Sequence, residues 1–312
     1  MPDAIETETP PHTEPGSGTN SPAEREFTVA QRSQARLILR RFRQHKMAMI
    51  SLFVFVAIVL LAFVGGALWK YSYHDITDAT SEPPSWDHPF GTDALGHDTF
   101  AQVLRGTQIS LGIAILTALF AIVIGTTWGA IAGYYRGFVD TIMMRIADLI
   151  LTLPLLAVAA VLGSNAGGSW WLIAVVIAGL YWAYVSRVVR GTVLSLREKE
   201  FIEAAKALGS SDKRIIFRHL VPNAMGPVIV NATILIAIAI LIETALSYLG
   251  FGVRPPDVSL GLLVSDAQSA VSTRPWLFYF PGIFIILIAL TINFIGDGLR
   301  DAFDPQQTKV RK

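Results

Sequence analysis

Long uncharged apolar runs alternate along this chain with short connecting segments that hold most of its basic residues. A hydrocarbon core about 30 Å thick needs about 20 apolar residues in a helix. Residues 47–68 (MAMISLFVFVAIVLLAFVGGAL) meet that requirement without one charge, as do residues 107–133 (TQISLGIAILTALFAIVIGTTWGAIAG). From Leu149 to Ser186 no residue is charged. At 1.5 Å per residue a single helix of that length would reach about 57 Å, nearly twice the core. The stretch therefore divides into two spans at GSNAGGS (163–169), with boundaries near 143–162 and 170–188. Residues 224–247 and 276–296 supply a fifth and a sixth. The pattern predicts an all-α integral membrane protein with six transmembrane helices.

Composition agrees with that class. Of 312 residues, 52% are hydrophobic and 16% charged, against roughly 25% charged in a soluble domain. The absence of cysteine excludes disulfides, thiolate metal sites and cysteine nucleophiles. Residues 1–30, rich in Pro, Thr, Glu, Gly and Ser, hold too few apolar residues to offset the entropy of ordering and predict a disordered tail. The first apolar run lacks the short core and small-residue cleavage site of a secretory signal, so it is expected to persist as an anchor.

The net charge of +1 conceals a segregation. In the six-span arrangement one side receives seven basic residues before the first span, two in 134–145, eight in 187–221 and four from Arg300 onward, twenty-one in all. The other side receives Lys70, Arg105, Arg254 and Arg274. Basic residues favour the cytoplasmic side, which places both termini and the 187–221 segment there. Trp69, Tyr71, Trp170, Trp171 and Trp276 fall at the opposite, outer ends.

Between the fourth and fifth spans lies EAAKALGSSDKRIIFRHLVPN, residues 203–223. Phe201, Ala204, Ala205 and Leu208 recur at i, i+3, i+4 and i+7, one face of a helix. Gly209 stands where a left-handed cap belongs, Ser210 and Ser211 can begin a new helix, and Pro222 closes it. Arg214 occupies the position of the capping-box acid, so that motif fails. The result is a helical hairpin outside lipid with a small-residue ridge at Ala204 and Ala205. It is either a docking element for another protein or an amphipathic linker on the membrane surface. Glu198, Glu200, Glu203 and Asp212 favour docking, because acids are poor companions for anionic lipid.

Other chemistry is sparse. None of the seven lysines precedes Ser or Thr, so the phosphate loop GxxxxGK[ST] is missing, as is GxGxxG. The chain is not expected to be an enzyme. His88, Asp93, His97 and Asp98 match no standard metal spacing, and Asp98 is better read as a helix cap. Gly125, Gly129 and Gly133, with Ala121 one step earlier, let helices pack backbone to backbone, within the bundle or against a second subunit. Glu243 lies inside the fifth span, where a carboxylate is unfavourable by ~2.5 kcal/mol or more at the bilayer centre and faces a pore, gate or partner unless headgroups hydrate it. Asn231 and Asn293 are further candidates for the pathway or for bonds across helices. Asp148 is expected to pair with Arg145 at i, i+3.

The hairpin resembles the EAA motif of membrane subunits of bacterial ABC importers: Glu203, Ala204, Ala205, Gly209 and Pro222 match its spacing, with His219 and Val221 in place of Ile and Leu. HPFGTDALGHD (88–98) is similar to the GTDxxGRD signature of the C-type permeases of oligopeptide and dipeptide systems, with His97 where Arg is usual. ETALSYLGFGVRPPDVSLGLLV (243–264) and GDGLRDAFDP (296–305) resemble further motifs of that family, and the likeness spans roughly residues 35–305. It implies the type I importer permease fold, an N-terminal region (31–106), a permease core (107–305) and a short cytoplasmic tail (306–312), in a bacterial inner or plasma membrane. It also implies partners: a second, B-type permease, two cytoplasmic ATPases that bind ATP and Mg, docking on the hairpin, and an extracytoplasmic binding protein meeting loops 70–105 and 251–275. No nucleic acid is implied. Related permeases carry nickel or other small ligands, which is the alternative cargo. A proton-driven secondary transporter acting through Glu243 is the alternative class, and the inverted repeats common in such proteins are not apparent.

Overall fold

The computed structural model describes residues 34–165 and 167–303. The tails expected at 1–30 and 306–312 lie outside the described residues.

Helix α1 (Gln34–Gln44) is amphipathic: Arg36, Arg40 and Arg43 fall on one side, while Phe42 packs against Ala48 and Ala302. His45 ends it and caps the next helix, its Nδ1 accepting from Ala48 N at 3.1 Å. Helix α2 (Lys46–Leu68) follows, with a widened turn at Leu61–Gly65. Helix α3 (Thr99–Tyr135) has 37 residues and begins a full two turns before the expected boundary at 107. The cause is Asp98, whose carboxylate accepts from Ala101 N at 2.7 Å and starts the helix outside the hydrocarbon, where Gln102 and Arg105 are tolerated.

The residues expected to form a span near 143–162 fall in two helices and not in one straight one. Helix α4 (Gly137–Thr152) and helix α5 (Leu155–Ser164) meet at 82°. Pro154 has no N–H to donate and forces Leu153 out of the helical region, to φ −73° and ψ 138°. Helix α6 (Trp170–Arg197) returns, and helix α7 (Glu200–Ala207) and helix α8 (212–223) form the hairpin. Helices α9 (Met225–Tyr248), α10 (Leu260–Asp266) and α11 (Trp276–Phe303) complete the chain. Among the described residues, five helices (α2, α3, α6, α9, α11) are long and apolar enough to cross a membrane, and a sixth crossing results if the bent α4–α5 pair is one broken span.

The bundle is organised around α3 and α6. A Cβ placed on Gly129 would lie 2.3 Å from Ser186 O, one on Gly125 2.6 Å from Val185 Cβ, and one on Gly133 3.0 Å from Arg190 O. The glycine ridge is thus occupied by α6 of the same chain, which decides between the two partners the sequence left open. Ala121, Ala130, Trp182, Val185, Val189 and Val193 fill the seam on either side. Helix α9 packs against α3 and α11 through Ala237, Ala239, Ile240, Ile288 and Ile292. Phe53, Ile115, Leu119, Val123, Ile286 and Leu290 remain exposed on the outer surface, as lipid-facing positions should.

The seam makes a prediction. Gly129→Ala drives a methyl group into a backbone carbonyl, and overpacking of this kind costs ~1–3 kcal/mol. Gly179, on α6, has nothing within 4 Å of its Cβ position. In detergent, Gly129→Ala should lower the thermal midpoint while Gly179→Ala leaves it at or above wild type; equal midpoints for the two variants would contradict the packing described.

Candidate functional site

The hairpin begins where α6 ends. Helix α7 closes in a Schellman turn: Gly209 N donates to Lys206 O (2.9 Å) and Ser210 N to Ala205 O (3.1 Å), with Gly209 at φ 73°. Ser211 then stands at the N-cap of the second arm without a side-chain bond to the helix. That arm runs through a widened turn at Ile215–Leu220, just ahead of Pro222, and continues by way of Ala224 into α9. The expected helix, turn and helix are all present.

Its two faces differ from the ridge expected. Ile202 and Ala205 are buried, as are Ile215, Ile216 and Leu220 of the second arm. Ile202, Ile215, Ile216 and Leu220 pack into the same cluster as Tyr134, Val189 and Val193 at the α3–α6 seam. Ala205 therefore belongs to the anchoring face. The face left open carries Glu203 and Ala204 together with Phe201 and Leu208, and Phe217 protrudes from the second arm. Leu208 is 86% exposed. Ser210 is half-buried in the turn, and Pro222 is exposed beside the start of α9.

Polar groups lace the hairpin to the helix ends around it. Tyr134 Oη donates to Asp212 at 2.6 Å, and the Arg197 guanidinium donates to the Tyr134 carbonyl while lying 5.6 Å from its ring. Arg136 pairs with Glu198. Arg190 holds Asp140 through two bonds of 2.6 Å, joining α6 to α4. Asp148 bonds to Arg187, whose Nη2 lies at 2.5 Å, and not to Arg145 as expected. The reason is that α4 lies along α6, which presents Arg187 and Arg190 on one side three residues apart. Sequence reasoning missed this lacework; the pairing of Asp140 and Asp148 with two arginines of another helix was its available signal.

At the far end of the bundle a second polar node surrounds Glu243. Its carboxylate is fully buried and accepts from Ser259 (2.6 Å) and Ser247 (2.8 Å) on one oxygen and from Ser110 (3.3 Å) on the other. Ser259 also caps α10 by accepting from Leu262 N, and Ser110 accepts from Leu260 N. Each of these two hydroxyls thus accepts a hydrogen bond from a backbone N–H of α10 and donates its own O–H to the carboxylate. Gly261 permits the close approach, since a Cβ there would lie 2.7 Å from Thr244 Cα. The node fastens α10 to α3 and α9, and in this conformation protein encloses the Glu243 carboxylate on all sides. Asn231 and Asn293 donate to the carbonyls of Pro227 and Ala289 on their own helices.

The segment 69–98 folds over the same end. Asp98, besides capping α3, accepts from Trp69 Nε1 at 3.1 Å and contacts His88 Nδ1 at 2.7 Å. His97 pairs separately with Asp93, Nδ1 to Oδ2 at 2.8 Å. The four residues weighed as metal ligands form two distinct His–Asp pairs. Lys70 and Asp87 bond at 2.6 Å; the mutual attraction pushes the lysine pKa up and the aspartate pKa down from their ordinary values.

Residues 125–309 match the family described as binding-protein-dependent transport system inner membrane component, more than half of the chain. Residues 33–84 match the N-terminal TM domain of oligopeptide transport permease C. The chain is 42% identical over 284 residues to the oligopeptide transport system permease protein OppC of Mycobacterium tuberculosis (strain ATCC 25618 / H37Rv), covering 90% of this chain and 97% of that one. It is 40% identical to OppC of Bacillus subtilis (strain 168), over 87% of this chain and 88% of the relative. It is 38% identical to the dipeptide transport system permease protein DppC of Alkalihalophilus pseudofirmus, over 91% and 93%. Among solved structures, a chain of the inward-facing MetNI methionine ABC transporter superposes with a TM-score of 0.52 at 18% identity, covering 65% of this chain and 97% of that one. That likeness establishes the shared type I permease fold. The chain belongs to the binding-protein-dependent transport system inner membrane components, the membrane subunits of ABC importers.

Proposed function

We propose that this chain is one of two permease subunits of an ATP-driven importer of short peptides, with both termini and the 200–223 hairpin in the cytoplasm. A B-type permease completes the pathway, two ATPases bind ATP and Mg on the cytoplasmic side, and an extracytoplasmic binding protein delivers cargo. The peptide assignment is supported by the similarity to oligopeptide and dipeptide permeases over nearly the whole chain. The observation that carries the mechanism is the hairpin itself. One face is fused to the α3–α6 seam, and the other offers Leu208, Phe201 and Ala204 beyond the membrane spans.

Mechanism follows from that asymmetry. Exposed apolar side chains amid charges suit insertion into a groove on another protein, with Glu203 and Lys206 on the rim. When ATPases close, their displacement of Leu208 reaches Ile202 and Ile215, and through them α6 and the start of α9. A soft joint would dissipate that motion. The Tyr134–Asp212, Arg197–Tyr134 and Arg190–Asp140 bonds make the joint stiff, so that inner helix ends move with the hairpin. At the outer end, the Glu243 node holds α10 against α3 and α9 and serves as a fastening that rearranges when the outer side opens. Glu243 acts as a positioning residue for α10.

Gly209→Val should uncouple transport from ATP hydrolysis, because a left-handed conformation costs a side chain about 1–2 kcal/mol even where space is free. Leu208→Asp should do the same by charging the docking face. Normal peptide uptake by both variants at wild-type protein level would remove the docking role. Topology has its own readout: alkaline phosphatase fused after Trp86 should be active and fused after Lys206 inactive, and the reverse pattern inverts the orientation. For the outer node, Ser259→Ala leaves a buried acceptor short of a partner at a cost of ~1–3 kcal/mol. Proteinase K added from outside should then cut within residues 251–275 faster than in wild type; unchanged cleavage would show that α10 does not depend on Glu243.

A further inference from the structure

A cavity of about 340 Å³ opens at the outer end of the bundle, between the start of α3, α10 and the start of α11. Asp93, Thr99, Gln102, Asp266, Ala270 and Arg274 are among the residues lining it. Three features separate it from a surface dent. Thr99 is 1% exposed, yet its Oγ1 has no hydrogen-bond partner, which is unusual for a buried hydroxyl. Asp266, whose side chain also reaches solvent, has no ion-pair or hydrogen-bond partner among the described residues, and partial desolvation pushes its carboxyl pKa above the ordinary value. Arg274 is aimed by a 2.8 Å bond from Nη1 to Ser81 Oγ, which leaves its other N–H groups without a carboxylate partner among the described residues. Asp93, by contrast, is already engaged by Leu95 N, His97 N and the His97 ring.

One cavity therefore presents an anion without a counterion, a cation without a counterion and a buried hydroxyl without a partner. Asp266 and Arg274 share its wall without forming an ion pair with each other. The complement of such a wall is a small zwitterion, with an ammonium group for Asp266 and a carboxylate for Arg274, and with Thr99 as a neutral hydrogen-bonding group in the same lining. A volume near the lower limit of ligand pockets, ~300 Å³, restricts the occupant to the size of a dipeptide or the terminal residues of a longer one. We infer that this outer cavity is a receiving subsite for the charged ends of a short zwitterionic peptide as it leaves the binding protein, with Asp266 taking the amino terminus. The inference rests on the peptide importer reading above and adds a cargo site within this chain that lies apart from the docking hairpin.

The test uses the complete permease–ATPase assembly in lipid nanodiscs without binding protein, titrated with dialanine and with N-acetyl-dialanine. The wild-type assembly should bind dialanine saturably and at least tenfold more tightly than the acetylated form. Asp266→Asn should abolish that preference, and Thr99→Val should weaken both ligands, with basal ATP hydrolysis unchanged in each as the control for folding. No saturable binding to wild type, equal binding of the two dipeptides, or a preference that survives Asp266→Asn would each overturn the subsite. Peptide uptake by the full system, measured in parallel, separates the two levels. Uptake without outer binding rejects the subsite alone, whereas absence of any peptide uptake rejects the importer reading on which it rests.

Discussion

The contact between α3 and α6, where three glycines let one backbone rest on the other, is the constraint on which the rest of the structure depends. In lipid, apolar side chains gain little by meeting each other, so close van der Waals packing and satisfied polar groups must supply the cohesion. Gly125, Gly129 and Gly133 provide the first, and the seam they create sets the spacing of everything at its ends. It brings Arg190 within bidentate reach of Asp140 and Arg197 within reach of the Tyr134 carbonyl. It also forms the apolar floor on which Ile202, Ile215 and Leu220 seat the hairpin. A push on the hairpin is thus a push on two long helices at once.

The charges of this chain obey the same economy at both ends. Where the helices leave the membrane, carboxylates meet arginines in a network, and a network of several pairs is worth more than isolated surface bridges. Inside, Glu243 has no cation beside it among the described residues and is stabilised by three hydroxyl donors, two of which are themselves oriented by backbone N–H groups of α10. That arrangement makes a carboxylate tolerable in the bundle only while α10 is seated. Helix α10 and the buried acid consequently depend on each other, and any motion that unseats α10 must break or carry that node.

Much of this was legible in the chain. Uncharged runs of sufficient length locate the helices, and Gly209 followed by two serines locates the hairpin turn. Asp98 is legible as a cap, but the early start of α3 is not, because hydropathy places a boundary where polarity begins whereas a capped helix continues past it. Pro154 should have signalled the bend between α4 and α5, but a uniformly apolar stretch hides a change of direction. The contacts of Glu243 were beyond reach: Ser110 lies 133 residues away, and hydroxyl donors carry no periodic signature. Asp148 shows the same limit, since local spacing offers Arg145 and only tertiary packing offers Arg187. The two sides of the hairpin helix were also blurred, because a small-residue ridge suits burial within the chain as well as contact with a partner, and Ala205 took the first course.

The account turns on the open face of the hairpin being pressed by a separate motor inside the cell. Because the chain contains no cysteine, Leu208→Cys places a single reactive thiol at the tip of that face without background. A photo-activatable cross-linker attached to that thiol should yield, on illumination of native membranes, one adduct of this chain with an ATPase subunit, and nucleotide should alter its yield. If that thiol is instead labelled in intact cells by a membrane-impermeant maleimide and gives no ATPase adduct, the hairpin faces outward and the account is contradicted.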